Sequence, residues 1–98
     1  MTITREQVIE KLKQVVDPEL RLDVWTLGLI YDIQINKDDT IFIKMTFTTP
    51  FCPYGQMLID QIKENIMKIP DVKDADIEIV FEPLWQPSEE VKLMLGIA

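Results

Sequence analysis

Apolar positions recur along this chain in two rhythms. Val8, Leu12, Val15 and Val16, with Ile9 alongside, fall on one stripe of a helix. Thr4 with Gln7 three residues on is a capping box, and Ile3 with Val8 is a hydrophobic staple. Pro18 is expected to stop this helix, since the residue before a proline, Asp17, is pushed out of helical geometry. Residues 20–28 then connect, and Leu27-Gly28-Leu29 is expected to turn tightly into a strand.

The rhythm changes to alternation after Gly28. Tyr31, Ile33 and Ile35 are expected on one face of a first strand, with Asp32, Gln34 and Asn36 on the other. Lys37, Asp38 and Asp39 make a turn. A second strand sets Ile41, Ile43, Met45 and Phe47 against Phe42, Lys44, Thr46 and Thr48. Pro53 suits the first position of a second helix, whose seam is Leu58, Ile62, Ile66 and Ile69, with Glu64 and Lys68 facing each other and Pro70 at its end. A third strand is expected over residues 75–82, with Ile77, Ile79 and Phe81 inward. A short helix capped by Ser88 follows, with Glu89 and Glu90 in its first turn and Gly96 as its stop.

The order α-β-β-α-β-α predicts an α/β (α+β) two-layer sandwich. The first two strands form an antiparallel hairpin. The crossover through the second helix makes strands two and three parallel in a small mixed sheet, with helices packed on one face. At 98 residues, 47% of them apolar, residues 1–98 are expected to form a single domain.

Composition narrows the chemistry. There are 17 acidic and 10 basic residues, a net charge of −7, and no basic cluster, which argues against nucleic acid and anionic membrane surfaces as partners. No apolar run is long enough to span a bilayer, and the start of the chain lacks a signal-peptide pattern, so a cytoplasmic location is expected. Histidine is absent and cysteine occurs once. One chain therefore holds no Ser–His or Cys–His pair and no complete tetrahedral zinc site.

The single thiol, Cys52, lies in T-T-P-F-C-P-Y-G, next to Pro53 at the expected start of the second helix. Unpaired N–H groups there carry partial positive charge and stabilise a thiolate. The competing reading is a buried small hydrophobe covered by Phe51 and Tyr54. Asp17-Pro18-Glu19 offers two carboxylates for a hard cation, although a helix stop with solvated acids, Asp23 among them, is the favoured account of a lone tripeptide. Thr48 and Thr49 offer hydroxyls to the same loop, or are ordinary strand-end threonines. Trp25 and Trp85 are expected to cap the edges of the core, with partner contact as the alternative.

Four stretches, V-V-D-P-E-L, T-L-G-L-I-Y-D-I, M-T-F-T-T-P-F-C-P and V-F-E-P-L-W-Q-P-S-E-E, resemble in order and spacing the SufT/PaaD-like family of iron–sulfur cluster assembly factors. The resemblance implies a small α/β domain that helps mature iron–sulfur proteins without turnover of its own. It puts the functional thiol at Cys52, with Glu19, Asp17 and Thr48 or Thr49 shaping the same site. The chain departs from the family pattern at Thr26, commonly acidic, and at Phe51, commonly small. It lacks the further cysteines of PaaD-type proteins, which favours general cluster maturation over a phenylacetate-pathway role.

One thiolate is too few for a stable cluster. No resident cofactor is expected from one chain; iron or a cluster would be held transiently by Cys52, with Glu19 as a candidate second ligand. The remaining ligands would come from a homodimer that pairs two Cys52 thiols, or from assembly proteins or apo client proteins. The alternatives are a thiol redox protein or sensor, which lacks a resolving cysteine, and a non-catalytic interaction module.

Overall fold

The computed structural model describes residues 3–48, 53–83 and 85–96. Its elements follow the expected order: α1 (Arg5–Leu12), β1 (Ile30–Ile35), β2 (Thr40–Met45), α2 (Gly55–Met67), β3 (Asp74–Ile79) and α3 (Glu89–Leu95). The sheet order is β1-β2-β3, with β1 antiparallel and β3 parallel to the central β2. This is the mixed three-stranded sheet of an α+β sandwich.

The core forms where the two rhythms meet. Ile41, Ile43 and Met45 of β2 are buried, and across the ladders Ile33 and Ile77 flank Ile43 while Ala75 flanks Ile41. Val8 and Leu12 of α1 and Leu58, Ile62 and Ile66 of α2 are fully buried in the same cluster, and Val91 of α3 joins it. The opposite face carries Asp32, Gln34, Phe42, Lys44, Asp76 and Glu78 and is left open, as antiparallel and mixed sheets allow.

The helix caps follow the sequence. Gln7 donates its N–H to Thr4 Oγ1 at 3.2 Å, and Gln7 Oε1 accepts from the Thr4 N–H at 2.9 Å. Ser88 accepts from the Val91 N–H, and Gly96 ends α3 in the left-handed region at φ 74°.

Several boundaries move. α1 stops at Leu12, well short of Pro18, because the Gln14 and Val15 N–H groups turn back to Lys11 and Leu12 carbonyls, 3.2 and 3.1 Å away. Val16 then leaves the helical stripe, pairs as a bridge with Asp23 and is 47% exposed. Two adjacent β-branched valines favour this extended path. β3 ends at Ile79, so Phe81 is not an inward strand residue but is 38% exposed. α2 begins at Gly55 with Tyr54 as its cap, so Pro53 precedes the cap. The Glu64–Lys68 spacing closes no ion pair; Lys63 instead pairs with Asp74 at 3.7 Å.

A bulge in β1 breaks its alternation. Ile30 faces Met45 but Asp32 faces Lys44, so Tyr31 is the extra residue and does not share a face with Ile33.

Candidate functional site

β2 and β3 run parallel, so their carboxyl ends share one end of the sheet, and the bulged start of β1 lies there too. Ligands of open α/β sheets commonly bind outside such carboxyl ends. Three connections meet at this end: the segment before β1, residues 46–54 between β2 and α2, and the segment after β3.

The first is built on carboxylate caps. Asp17, only 3% exposed, accepts the N–H groups of Glu19 and Leu20 on Oδ1 at 2.8 and 3.1 Å. It is a buried turn cap, not a solvated acid at a helix end, and Glu19 beside it is exposed. Arg21 follows at φ 60° and donates its N–H to the Asp17 carbonyl at 2.7 Å. Asp23 repeats the device, with Oδ2 accepting the Thr26 N–H at 2.8 Å. This turn closes at Gly28, φ 78°, where the expected tight step into β1 is found. The spacing of an Asp two or three residues before a free N–H is the signal that marks both turns in the sequence.

The last connection is stitched onto the first. Trp85 donates its indole N–H to the Leu27 carbonyl at 2.6 Å, and Tyr31, freed by the bulge, donates its hydroxyl to the Pro83 carbonyl at 2.7 Å. Gly28, Tyr31, Pro83, Trp85 and Gln86 line an open hollow of about 520 Å³. Trp25 and Trp85 are both half-buried against the core, as expected of edge caps, and Arg5 lies over the Trp25 ring, 5.8 Å from its centroid.

The thiol-bearing connection joins β2 to α2. Thr48 is half-buried and Pro53 exposed; Cys52 and Thr49 lie outside the described residues. Phe47 fixes one end of this connection: its ring packs at 6.5 Å and 57° from that of Phe81, and Gly55, the first residue of α2, lies flat against it. Sequence periodicity assigned Phe47 to the strand face and passed over Gly55. A glycine opening a helix without a positive φ is the signal of a close approach.

The Tyr54 cap makes no side-chain hydrogen bond, and no acidic residue occupies the first turn of α2. Among the described residues no side chain caps the first amides of α2, which carry the partial positive charge of a helix start. Cys52 stands two positions before the cap in sequence, not at the cap or beside it. Among the described residues, no three acidic side chains gather in a metal-holding group, and no helix is long and apolar enough to cross a membrane. Asp17 has one carboxylate oxygen committed to two N–H groups, which leaves only the other for any ligand.

Comparison with known proteins agrees with this architecture. The iron–sulfur cluster assembly protein family matches residues 5–79. The chain is 38% identical over 96 residues to the Fe-S protein maturation auxiliary factor YitW of Bacillus subtilis, covering 95% of this chain and 94% of that protein. It is 36% identical over 87 residues to the Fe-S protein maturation auxiliary factor SufT of Staphylococcus aureus, covering 86% and 99%. The solved structure of a conserved hypothetical protein from Thermotoga maritima superposes with a TM-score of 0.85 at 42% identity, over 98% of this chain and 99% of the other. With more than half its length matched, and with close relatives of its own size, this chain belongs to the iron–sulfur cluster assembly protein family.

Proposed function

We propose that this protein is an iron–sulfur cluster maturation factor that works as an adaptor or transient carrier, with no turnover of its own, through the thiol of Cys52. The observation that carries the reading is the placement of the cysteine-bearing connection. It joins the carboxyl end of β2 to the start of α2, which has no side-chain cap among the described residues, at the sheet end where the turns of Asp17 and Asp23 meet Pro83 and Trp85. The family match over residues 5–79, which spans that connection, supports it.

The ligand count sets the mechanism. Iron or a cluster is cargo here. A single thiolate with no histidine and no carboxylate trio among the described residues leaves most coordination positions to another molecule. Held this way, the cargo is labile and passes on when an assembly protein or apo client supplies more thiolates. A second copy of this chain is an alternative source of the missing ligands. The carboxylates of Asp17 and Asp23 are engaged in capping the flanking turns, which supports a site whose ligands come chiefly from the thiol and from a partner.

The test is the alkylation rate of Cys52 against pH, measured anaerobically with and without ferrous iron. A thiol that ionises below the free-cysteine value of about 8.5 and is protected by iron is the expected result. A reactive thiol with peroxide sensitivity and no iron protection would replace this reading with a redox one. A slow thiol with an ordinary or raised pKa would leave only an interaction module.

A further inference from the structure

β3 is one margin of the sheet, and among the described residues only its inner side is paired. Val80 donates its N–H to the Met45 carbonyl at 2.9 Å, and the parallel register carries Asp76 and Glu78 toward β2 in the same way. The N–H groups of Ala75, Ile77 and Ile79 therefore turn outward. Exposed margins invite pairing by another chain, and proteins usually blunt them. Here the blunting is partial. Asp74 Oδ1 takes the Ala75 N–H at 2.9 Å, as Asp32 Oδ1 takes the outward Ile33 N–H on the other margin at 3.0 Å. Ile77 and Ile79 have no such acceptor among the described residues. Of the helices, α2 packs against β3, where Ala75 shares the buried core with Leu58, Ile62 and Ile66.

Charge says what fits there. Asp74, Asp76 and Glu78 are all exposed beside this margin. Asp74 has Lys63. Asp76 has only Phe42 opposite it, and Glu78 faces Lys44, which also lies opposite Asp32. A second copy pairing along β3 would set these acids against one another, and like charges directly opposite are destabilising. A segment with alternating basic residues meets both needs at once, donors and acceptors for the open rungs and cations for the acids.

We propose that the free margin of β3 is a docking strand for an extended basic segment of a partner protein, which pairs with the backbone of Ile77 and Ile79 and sets its Lys or Arg side chains against Asp76 and Glu78. This interaction does not depend on the thiol of Cys52, so a Cys52→Ser variant keeps it whatever becomes of the carrier reading.

The probe is a short dye-labelled peptide of alternating valine and lysine, with a valine–glutamate peptide as control. Binding to the full chain is read by fluorescence anisotropy and by amide hydrogen exchange. The lysine peptide is expected to bind at low salt and to slow exchange at Ile77 and Ile79. Asp76→Lys combined with Glu78→Lys, both exposed, is expected to weaken it about tenfold with an unchanged circular dichroism spectrum. Slowed exchange on β1 instead, equal affinity for the two peptides, or undiminished binding to the charge-reversed variant would overturn the proposal. So would concentration-dependent protection of Ile77 and Ile79 without peptide, which would assign this margin to self-association. Exchange in the unmodified protein decides the matter even if the double variant fails to fold.

Discussion

Gly55 opens α2 directly against the ring of Phe47: a Cβ at position 55 would stand 2.8 Å from Phe47 Cε2, closer than atoms pack. This contact fixes where the helix starts relative to the end of β2, and so how far the intervening connection must reach. Gly55→Ala sets two effects against each other. Alanine gains up to about 1 kcal/mol of helix propensity, while the forced shift of the ring costs about 1–3 kcal/mol. The ring also rests on Phe81, so it has little freedom to yield. A net loss of about 1 kcal/mol is expected in urea denaturation, and Phe47→Leu in the same chain should turn the alanine substitution neutral or stabilising. An equal loss in both backgrounds would show that the ring contact is not what excludes a side chain.

Asp17 distinguishes a structural carboxylate from a ligand. Asp17→Ala leaves the Glu19 and Leu20 N–H groups without their carboxylate acceptor in a part-buried turn, which costs about 1–3 kcal/mol. Asp17→Asn keeps an oxygen in place and should retain much of that stability. If the carboxylate's role is capping, iron protection of Cys52 should survive in the asparagine variant. Loss of protection with full stability would make Asp17 a ligand after all.

The parts of this molecule that were legible in advance are those in which one repeating pattern meets one partner layer. The seams Leu58–Ile62–Ile66 and Ile41–Ile43–Met45 are buried as their periods require, and the caps at Thr4, Ser88 and Gly96 depend only on residues within a turn. What local pattern misses is decided by distant residues. Tyr31 leaves its expected face because β1 bulges opposite β2 and Pro83, fifty-two positions away, offers a carbonyl. Val16 fits the helical stripe as well as Leu12 does, yet pairing with Asp23 takes it out of the helix. At the site, the D-P-E motif marked an important turn but not the burial of Asp17 within it. The start of α2 was misplaced because Pro53 is favourable at a first helical position, whereas the contact of Gly55 with Phe47 sets the boundary.

Pro83 and Trp85, two residues apart, are each held by one hydrogen bond, which predicts coupling between the two attachments. Trp85→Phe removes the donor to Leu27, and Tyr31→Phe removes the donor to Pro83. Each loss is expected to cost about 0.5–1.5 kcal/mol, the tryptophan change the more because its partner carbonyl is less exposed to water. Since both bonds anchor one short stretch, the double variant should lose less than the sum of the singles. Strict additivity in thermal denaturation would mean that the two attachments act on independent segments.

The turn between β1 and β2 carries a pH-dependent contribution whose sign is fixed by its hydrogen bonds. Asp38 Oδ1 accepts from the Thr40 hydroxyl at 2.6 Å and from the Thr40 N–H at 3.3 Å. The hydroxyl bond first, and the backbone bond second, favour the ionised carboxylate and hold the Asp38 pKa below its ordinary value. A carboxylate whose pKa is lower in the folded than in the unfolded chain binds fewer protons when folded. Its stabilisation is therefore complete above the unfolded pKa and disappears as pH falls through the lowered folded value. Thr40→Val removes the hydroxyl bond. In an NMR titration of the side-chain carboxyls, the Asp38 midpoint should move up in this variant toward the ordinary aspartate range. The stability difference between the two proteins should then shrink as the solution is acidified through that window. The contribution is small because Asp38 lies in an exposed turn, so the titration midpoint is the decisive reading. An unchanged midpoint would show that the Thr40 hydroxyl does not hold this carboxylate in its charged form.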